Sequence, residues 1–369
     1  MKKSPLYEIH LDLGAVFGDY FGWMMPKHYV NPIEEYKSAK TSSVMIDRAN
    51  VGKLRLWGKD VIDFMNRIST NDLRGLTPGT GAVTVLTDEK GKMIDVVNLC
   101  LLKVENGHQE AILFLSPGSA EDVKSWFDKL IIMDDVKYED ITDDYVVISI
   151  YGYGVNEVIS SEFKVDHKHF LDISKMPLYN FVRGFIVGNE VFIVRVDGFS
   201  TLGYDVICRK DDAVAIWRLL RSKGLTAVGH EVFNVLRVEA GIPSFGREIT
   251  RDYNPLEANL IKFVSFSKGC YIGQEVLARI DSYSKLQKRL VGFMIEDKKG
   301  KLKFDKDAIV FSDDEEVGKV TSVVYSYGFQ KYIALGYLKV KFAVQGEKVK
   351  IEFGGDKYDA VVILPPFSV

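Results

Sequence analysis

Three residues stand in settings that point to chemistry. Two are aspartates that interrupt apolar β runs: Asp95 in Met93-Ile-Asp-Val-Val-Asn-Leu-Cys-Leu-Leu102, and Asp205 in Gly203-Tyr-Asp-Val-Ile207. A carboxylate held at a pocket rim by a rigid strand suits general acid–base or electrostatic work. A strand-end residue on the solvent face accounts for Asp95 equally well. Two carboxylates in the same kind of position nevertheless begin to define a site. The third residue is Cys270, in Phe266-Ser-Lys-Gly-Cys-Tyr-Ile-Gly-Gln-Glu-Val-Leu-Ala-Arg279. Gly269 and Gly273 permit a tight backbone, and Gln274–Arg279 is rich in helix-favouring residues. That setting places Cys270 near a helix N-terminus beside Lys268, which would favour a thiolate. A small apolar residue buried in a turn is the competing reading, with even weight.

The elements that must position these groups follow from periodicity and punctuation. Asn31-Pro32-Ile-Glu34 reads as a helix start, with Asn31 as N-cap and Glu34 reaching back. Val61–Ile68 is an amphipathic helix, and Ser119-Ala-Glu-Asp122 opens another. Asp88-Glu-Lys-Gly91 is the tip of a hairpin leading into the Asp95 strand. Tyr145–Ile150 and Val191–Val196 are buried strands, Asp211–Leu220 is helical, and the helix Glu231–Ala240 is stopped by Gly241 and Pro243. Past Ser282 the texture changes to short strands (Leu290–Ile295, Gly318–Val324, Tyr332–Tyr337, Ala360–Leu364) split by charged or glycine turns. Such spacing predicts a separate small β-barrel or sandwich.

Composition excludes several classes. The chain has 369 residues, 47% hydrophobic and 27% charged, with a net charge of −3. That is an ordinary soluble composition, long enough for two or three domains. It gives no reason to propose nucleic-acid or membrane-surface partners. Cys100, Cys208 and Cys270 are far apart and form no metal-ligand spacing, so no metal site is expected and a reducing compartment is. Without an apolar h-region behind Lys2-Lys3, or any run of about 18 apolar residues, the cytoplasm is the expected location.

Several blocks jointly resemble one family, the aminomethyltransferase (glycine cleavage T-protein) superfamily, and within it the YgfZ-type folate-binding branch. The blocks are Phe21-Gly-Trp-Met-Met-Pro26, Val44-Met-Ile-Asp47 with Gly58-Lys-Asp60, Leu236-Arg-Val-Glu-Ala-Gly241-Ile-Pro, and Asn254-Pro-Leu-Glu257. In the tail, Val317–Ser322, Ile333–Tyr337 and Leu364-Pro-Pro-Phe367 look like pieces of the family's C-terminal barrel. Lys268-Gly-Cys-Tyr-Ile-Gly-Gln-Glu275 is similar to the YgfZ-branch signature.

The resemblance implies an α+β fold, a three-domain cloverleaf around a central pocket for tetrahydrofolate. The domains would be 1–50 plus 145–282, 51–144 carrying Asp95, and a C-terminal β-barrel at 283–369. Asp95 falls on the family's catalytic aspartate, followed here by Val96 where the transferases carry a second Asp. Asp205 falls on the pterin-binding glutamate, one methylene shorter. Arg237 falls on the arginine that meets folate's glutamate tail, although without the resemblance it reads as an exposed helix arginine. Two functions compete. The signature around Cys270 ranks first an accessory role in iron–sulfur cluster assembly or repair, with iron–sulfur proteins as partners and Cys270 as the working thiol. The alternative is a folate-dependent aminomethyltransferase that takes a one-carbon unit from a lipoyl carrier protein, with Asp95 as the catalytic carboxylate.

Overall fold

The computed structural model describes residues 1–165, 173–199, 201–283, 285–297 and 308–367. The chain divides into two compact units. One comprises Met1–Arg67, Asn71–Thr84 and Val96–Phe233, and the other Ile68–Thr70, Val85–Asp95 and Asn234–Val369.

The first unit is built on a seven-stranded sheet in the order Lys164–Val165, Phe181–Ile186, Asn189–Gly198, Thr201–Arg209, Tyr145–Gly152, Ser43–Asp47, Thr226–Ala227. Its strands pair antiparallel except for the last, which runs parallel to Ser43–Asp47. Alternation of side chains along Tyr145–Gly152 assigns its two faces. Val146, Ile148 and Ile150 join a core with Val155, Ile159, Ile216, Trp217 and Leu220 from the covering helices. Val147 and its neighbours Ile207 and Val194 belong to a different apolar cluster, so Ser149 and Tyr151 lie on that second face.

The helix Pro32–Thr41 begins as expected: Asn31 Oδ1 accepts from the Ile33 N–H at 2.9 Å. The expected return bond from Glu34 does not form, because Glu34 pairs with Lys37 on the surface at 2.8 Å. Glu35 is the buried one, accepting from the Tyr29 N–H at 2.6 Å and the Gly229 N–H at 2.7 Å. Helices at Val61–Ile68, Ala120–Leu130, Ala213–Ser222 and His230–Glu239 stand where periodicity predicts them. A five-stranded sheet runs Gly81–Thr87, Met93–Glu105, His108–Leu115, Gly52–Gly58, Val136–Asp140.

In the second unit the strands Lys288–Ile295, Lys331–Lys339, Glu315–Ser326, Ile309–Ser312, Lys348–Phe353 and Asp356–Ile363 close into a barrel. Its interior is filled by Val291, Phe293, Val310, Leu338, Ile351 and Val362, none with exposed surface, so this barrel is a packed core. Closure removes the sheet edges that short strands would otherwise expose. Among the described residues no helix is long and apolar enough to cross a membrane.

Candidate functional site

The clearest site lies on the second face of the seven-stranded sheet. Register places Ser149 directly opposite Asp205, and Tyr151 directly opposite Gly203. The Ser149 hydroxyl donates to Asp205 Oδ1. A Cβ on Gly203 would come within 2.6 Å of the Tyr151 ring, so the missing side chain is what lets Tyr151 lie down beside the carboxylate. Around Tyr151 stand Phe199 at 5.1 Å and Phe233 at 6.3 Å between ring centroids, with Phe199 and Phe233 themselves edge-to-face at 5.2 Å. The Arg48 guanidinium rests 5.0 Å from the Phe233 ring centroid, in cation–π range.

Burial raises the proton affinity of Asp205, while the nearby Arg48 charge and the Ser149 hydroxyl pull it back. Burial first, and the Asp205 carboxylate second, push the Tyr151 hydroxyl up to about 12. At neutral pH Tyr151 is therefore a phenol, set beside the Asp205 carboxyl group, the Arg48 guanidinium and two flat apolar rings. Such a set fits a flat heterocycle that carries adjacent N–H donors.

Behind this site, the strand Ser43–Asp47 is anchored by a buried polar chain. Tyr29 OH and His10 Nδ1 are 3.0 Å apart, His10 Nε2 and Asp47 Oδ2 3.0 Å, and Ser4 Oγ donates to Asp47 Oδ2 at 2.5 Å. The Asp47 carboxylate also accepts from the Ala49 N–H at 2.8 Å, and its main-chain carbonyl lies 3.0 Å from His230 Nε2. Arg48 follows directly on this anchored residue, its N–H donating to the Val147 carbonyl at 2.9 Å.

The other three residues singled out in the sequence belong to the second unit. Asp95 has no exposed surface and lies near the start of the strand Met93–Glu105. The turn before it is tied by Asp88 Oδ1, which accepts from the Lys90 and Lys92 N–H groups at 2.9 and 2.8 Å. Met93 N–H donates to the Tyr253 carbonyl at 2.9 Å, and Lys92 Nζ to the Asp252 carbonyl at 2.6 Å.

Arg237 is not an exposed helix arginine. It is 5% exposed and paired with Glu248 at 3.0 Å, with further bonds to Asn234 Oδ1 at 2.7 Å, the Ile242 carbonyl at 3.2 Å and Ser322 Oγ at 2.7 Å. Glu248 in turn accepts from Thr321 and Ser322, each at 2.6 Å. The guanidinium thus already holds its carboxylate inside the protein. Its motif partner Gly241 lies where a Cβ would meet Pro365 at 2.2 Å.

Cys270 is exposed, three residues before Gly273, the N-cap of the helix Gln274–Ser282. The expected Lys268 ammonium does not stand free beside it. Lys268 is 5% exposed, and its Nζ donates to the Ser69 carbonyl at 2.7 Å. Glu257, from the Pro-x-Glu segment, bonds the Asn254 N–H at 3.0 Å and lies 3.7 Å from Lys92.

Sequence reasoning singled out Asp205 but passed over Arg48, Ser149, Tyr151, Phe199 and Phe233, which the fold gathers around it. One signal was available: Ser149 is the polar break in Val146-Val-Ile-Ser-Ile150, the same irregularity that drew attention to Asp205.

A mixed α/β chain with a closed six-stranded C-terminal barrel and a carboxylate set among aromatic rings defines a recognisable class. Residues 6–268 match the GCVT N-terminal domain, and residues 288–368 match the glycine cleavage T-protein C-terminal barrel domain. The chain belongs to the glycine cleavage T-protein family. It is 27% identical over 368 residues to the aminomethyltransferase of Picosynechococcus sp., covering 100% of this chain and 98% of that protein. It is 28% identical over 373 residues to the aminomethyltransferase of Halothermothrix orenii, covering 100% of both. The crystal structure of glycine cleavage system aminomethyltransferase T from Bartonella henselae superimposes with a TM-score of 0.85 at 22% identity, over 100% of this chain and 98% of that one.

Proposed function

We propose that the chain is a tetrahydrofolate-dependent aminomethyltransferase that receives its one-carbon unit from a lipoyl carrier protein. The observation that carries this reading is Asp205, held by Ser149 beneath Tyr151 and beside Arg48. Carboxylate oxygens there can accept the paired N–H donors of a pterin, and the neighbouring Tyr151, Phe199 and Phe233 rings offer flat apolar surface for it to lie against. Full-length relatives named aminomethyltransferase favour transfer chemistry over the accessory role that the Cys270 motif ranked first.

When bound, tetrahydrofolate supplies the nitrogen nucleophile that takes up the one-carbon unit. The chain supplies position and field. Asp205 orients the pterin, and the rings of Tyr151, Phe199 and Phe233 keep water from its faces. Asp95 is assigned the stabilisation of positive charge developing at the aminomethyl nitrogen, which suits a carboxylate without exposed surface on a rigid strand. Arg237 is left out of the ligand set because Glu248 occupies it.

The test is ammonia release from an aminomethylated lipoyl carrier in the presence of tetrahydrofolate. Turnover should vanish in Asp95→Asn and persist in Cys270→Ala. Turnover that survives Asp95→Asn, or is lost with Cys270→Ala, would overturn the assignment and return weight to the thiol.

A further inference from the structure

We propose that Arg48 reads the oxygen at position 4 of the bound pterin and makes the site selective for 4-oxo over 4-amino pteridines. The inference rests on the folate reading of the Asp205 site and concerns which ring that site accepts.

Arg48 is well placed for such a role. Asp47, immediately before it, is bonded through both its carboxylate and its carbonyl. Arg48's own N–H is tied to the Val147 carbonyl at 2.9 Å. Its guanidinium is braced on the Phe233 face, 5.0 Å from the ring centroid, so the side chain is held at its base and at its tip. Its charge reaches Asp205, yet no ion pair within 4.0 Å joins the two residues, both of which lie among the described ones. Both side chains are only partly buried, so each keeps exposed surface that a group able to satisfy both charges can meet.

The chemistry of the ring edge decides what that group is. Asp205 offers acceptors, and Arg48, which carries only donors, stands beside it. The complementary edge reads donor, donor, acceptor: the 2-amino group, the N3–H and the 4-oxygen of a pterin. A 4-amino pteridine replaces the acceptor by a donor and removes the N3 proton. Arg48 would then face a second donor, and a buried polar mismatch of this kind discriminates strongly.

Folic acid and aminopterin differ at position 4 alone and serve as the probes. Binding to the full-length protein is followed by calorimetry, with tetrahydrofolate as the reference ligand. Wild type should bind folic acid at least about tenfold more tightly than aminopterin, the size expected for one mismatched buried polar contact. Arg48→Met should lose that ratio, chiefly through weaker binding of folic acid, with thermal stability measured in parallel. Arg48→Lys keeps the charge but not the planar fork and should retain only part of the ratio; it also serves if Arg48→Met fails to fold. An unchanged ratio in these variants, equal loss for both ligands, or a wild type that does not discriminate would overturn the role of Arg48 and leave the folate site standing. A wild type that binds none of the three ligands would instead overturn the folate reading itself.

Discussion

Gly91 and Gly273 pack backbone against backbone: a Cβ on Gly273 would lie 2.8 Å from Gly91 Cα and 2.7 Å from the Asp88 carbonyl oxygen. The second glycine of the Lys268–Glu275 motif therefore seats the turn that precedes Asp95. Gly273 also takes a φ of 83°, and Gly91 a φ of 70°. The Thr87 hydroxyl donates to the Ile272 carbonyl at 2.7 Å and adds a polar tie at the same place.

Gly273→Ala should therefore destabilise the protein by roughly 1–3 kcal/mol, combining left-handed strain with a backbone clash. Gly269→Ala is the matched control, since a Cβ there meets nothing within 4 Å. Thermal denaturation separates them: a clear drop for position 273 and almost none for position 269.

Removing one partner of the Arg237–Glu248 pair strands a buried charge. Arg237→Met and Glu248→Gln should each cost about 3–5 kcal/mol in urea unfolding, and the double variant less than their sum. If Arg237 instead held a ligand's tail, Arg237→Met would keep its stability and lose folate affinity.

Gly203→Ala should drive the Tyr151 ring off the carboxylate, because the added methyl would fall 2.6 Å from Tyr151 Cδ1. Overpacking of this kind costs roughly 1–3 kcal/mol. Ligand affinity should fall together with stability, as read by calorimetry and thermal melting of the same variant.

Two buried bases set opposite arms of the pH profile. Burial brings His230 down to about 4 from 6.5, against the pull of Asp47. As pH falls from about 6.5 towards 4, the unfolded chain binds a proton that the folded chain refuses, so stability declines there, by about 1.4 kcal/mol per unit at most. Lys53 is 1% exposed, and burial brings it down to about 7 from 10.5; its Nζ donates to the Val51 and Ala49 carbonyls at 2.6 and 3.2 Å. Between about 10.5 and 7 the unfolded chain again binds the extra proton, so stability should rise as pH increases from 7. Urea titrations across pH should show the acid slope flattened in His230→Gln and the alkaline slope flattened in Lys53→Met.

Much of this protein is legible from local order in the sequence. The period of apolar residues marks the helix Val61–Ile68 exactly as it folds, and the short strands past Ser282 foretell the barrel. Asp205 can be found because a charge inside an apolar β run demands a partner or a purpose. What that partner is, only the tertiary structure decides. Ser149 lies 56 residues from Asp205 and meets it through strand register. Lys268 reaches a carbonyl 199 residues away in sequence instead of standing by Cys270. Arg237 finds Glu248 and, 85 residues away in sequence, Ser322. The physical reason is the same in each case. Hydrophobic period and turn chemistry act over a few residues and can be read along the chain. The choice of which polar group a buried charge meets is made by long-range pairing, because only there is the cost of removing that charge from water offset.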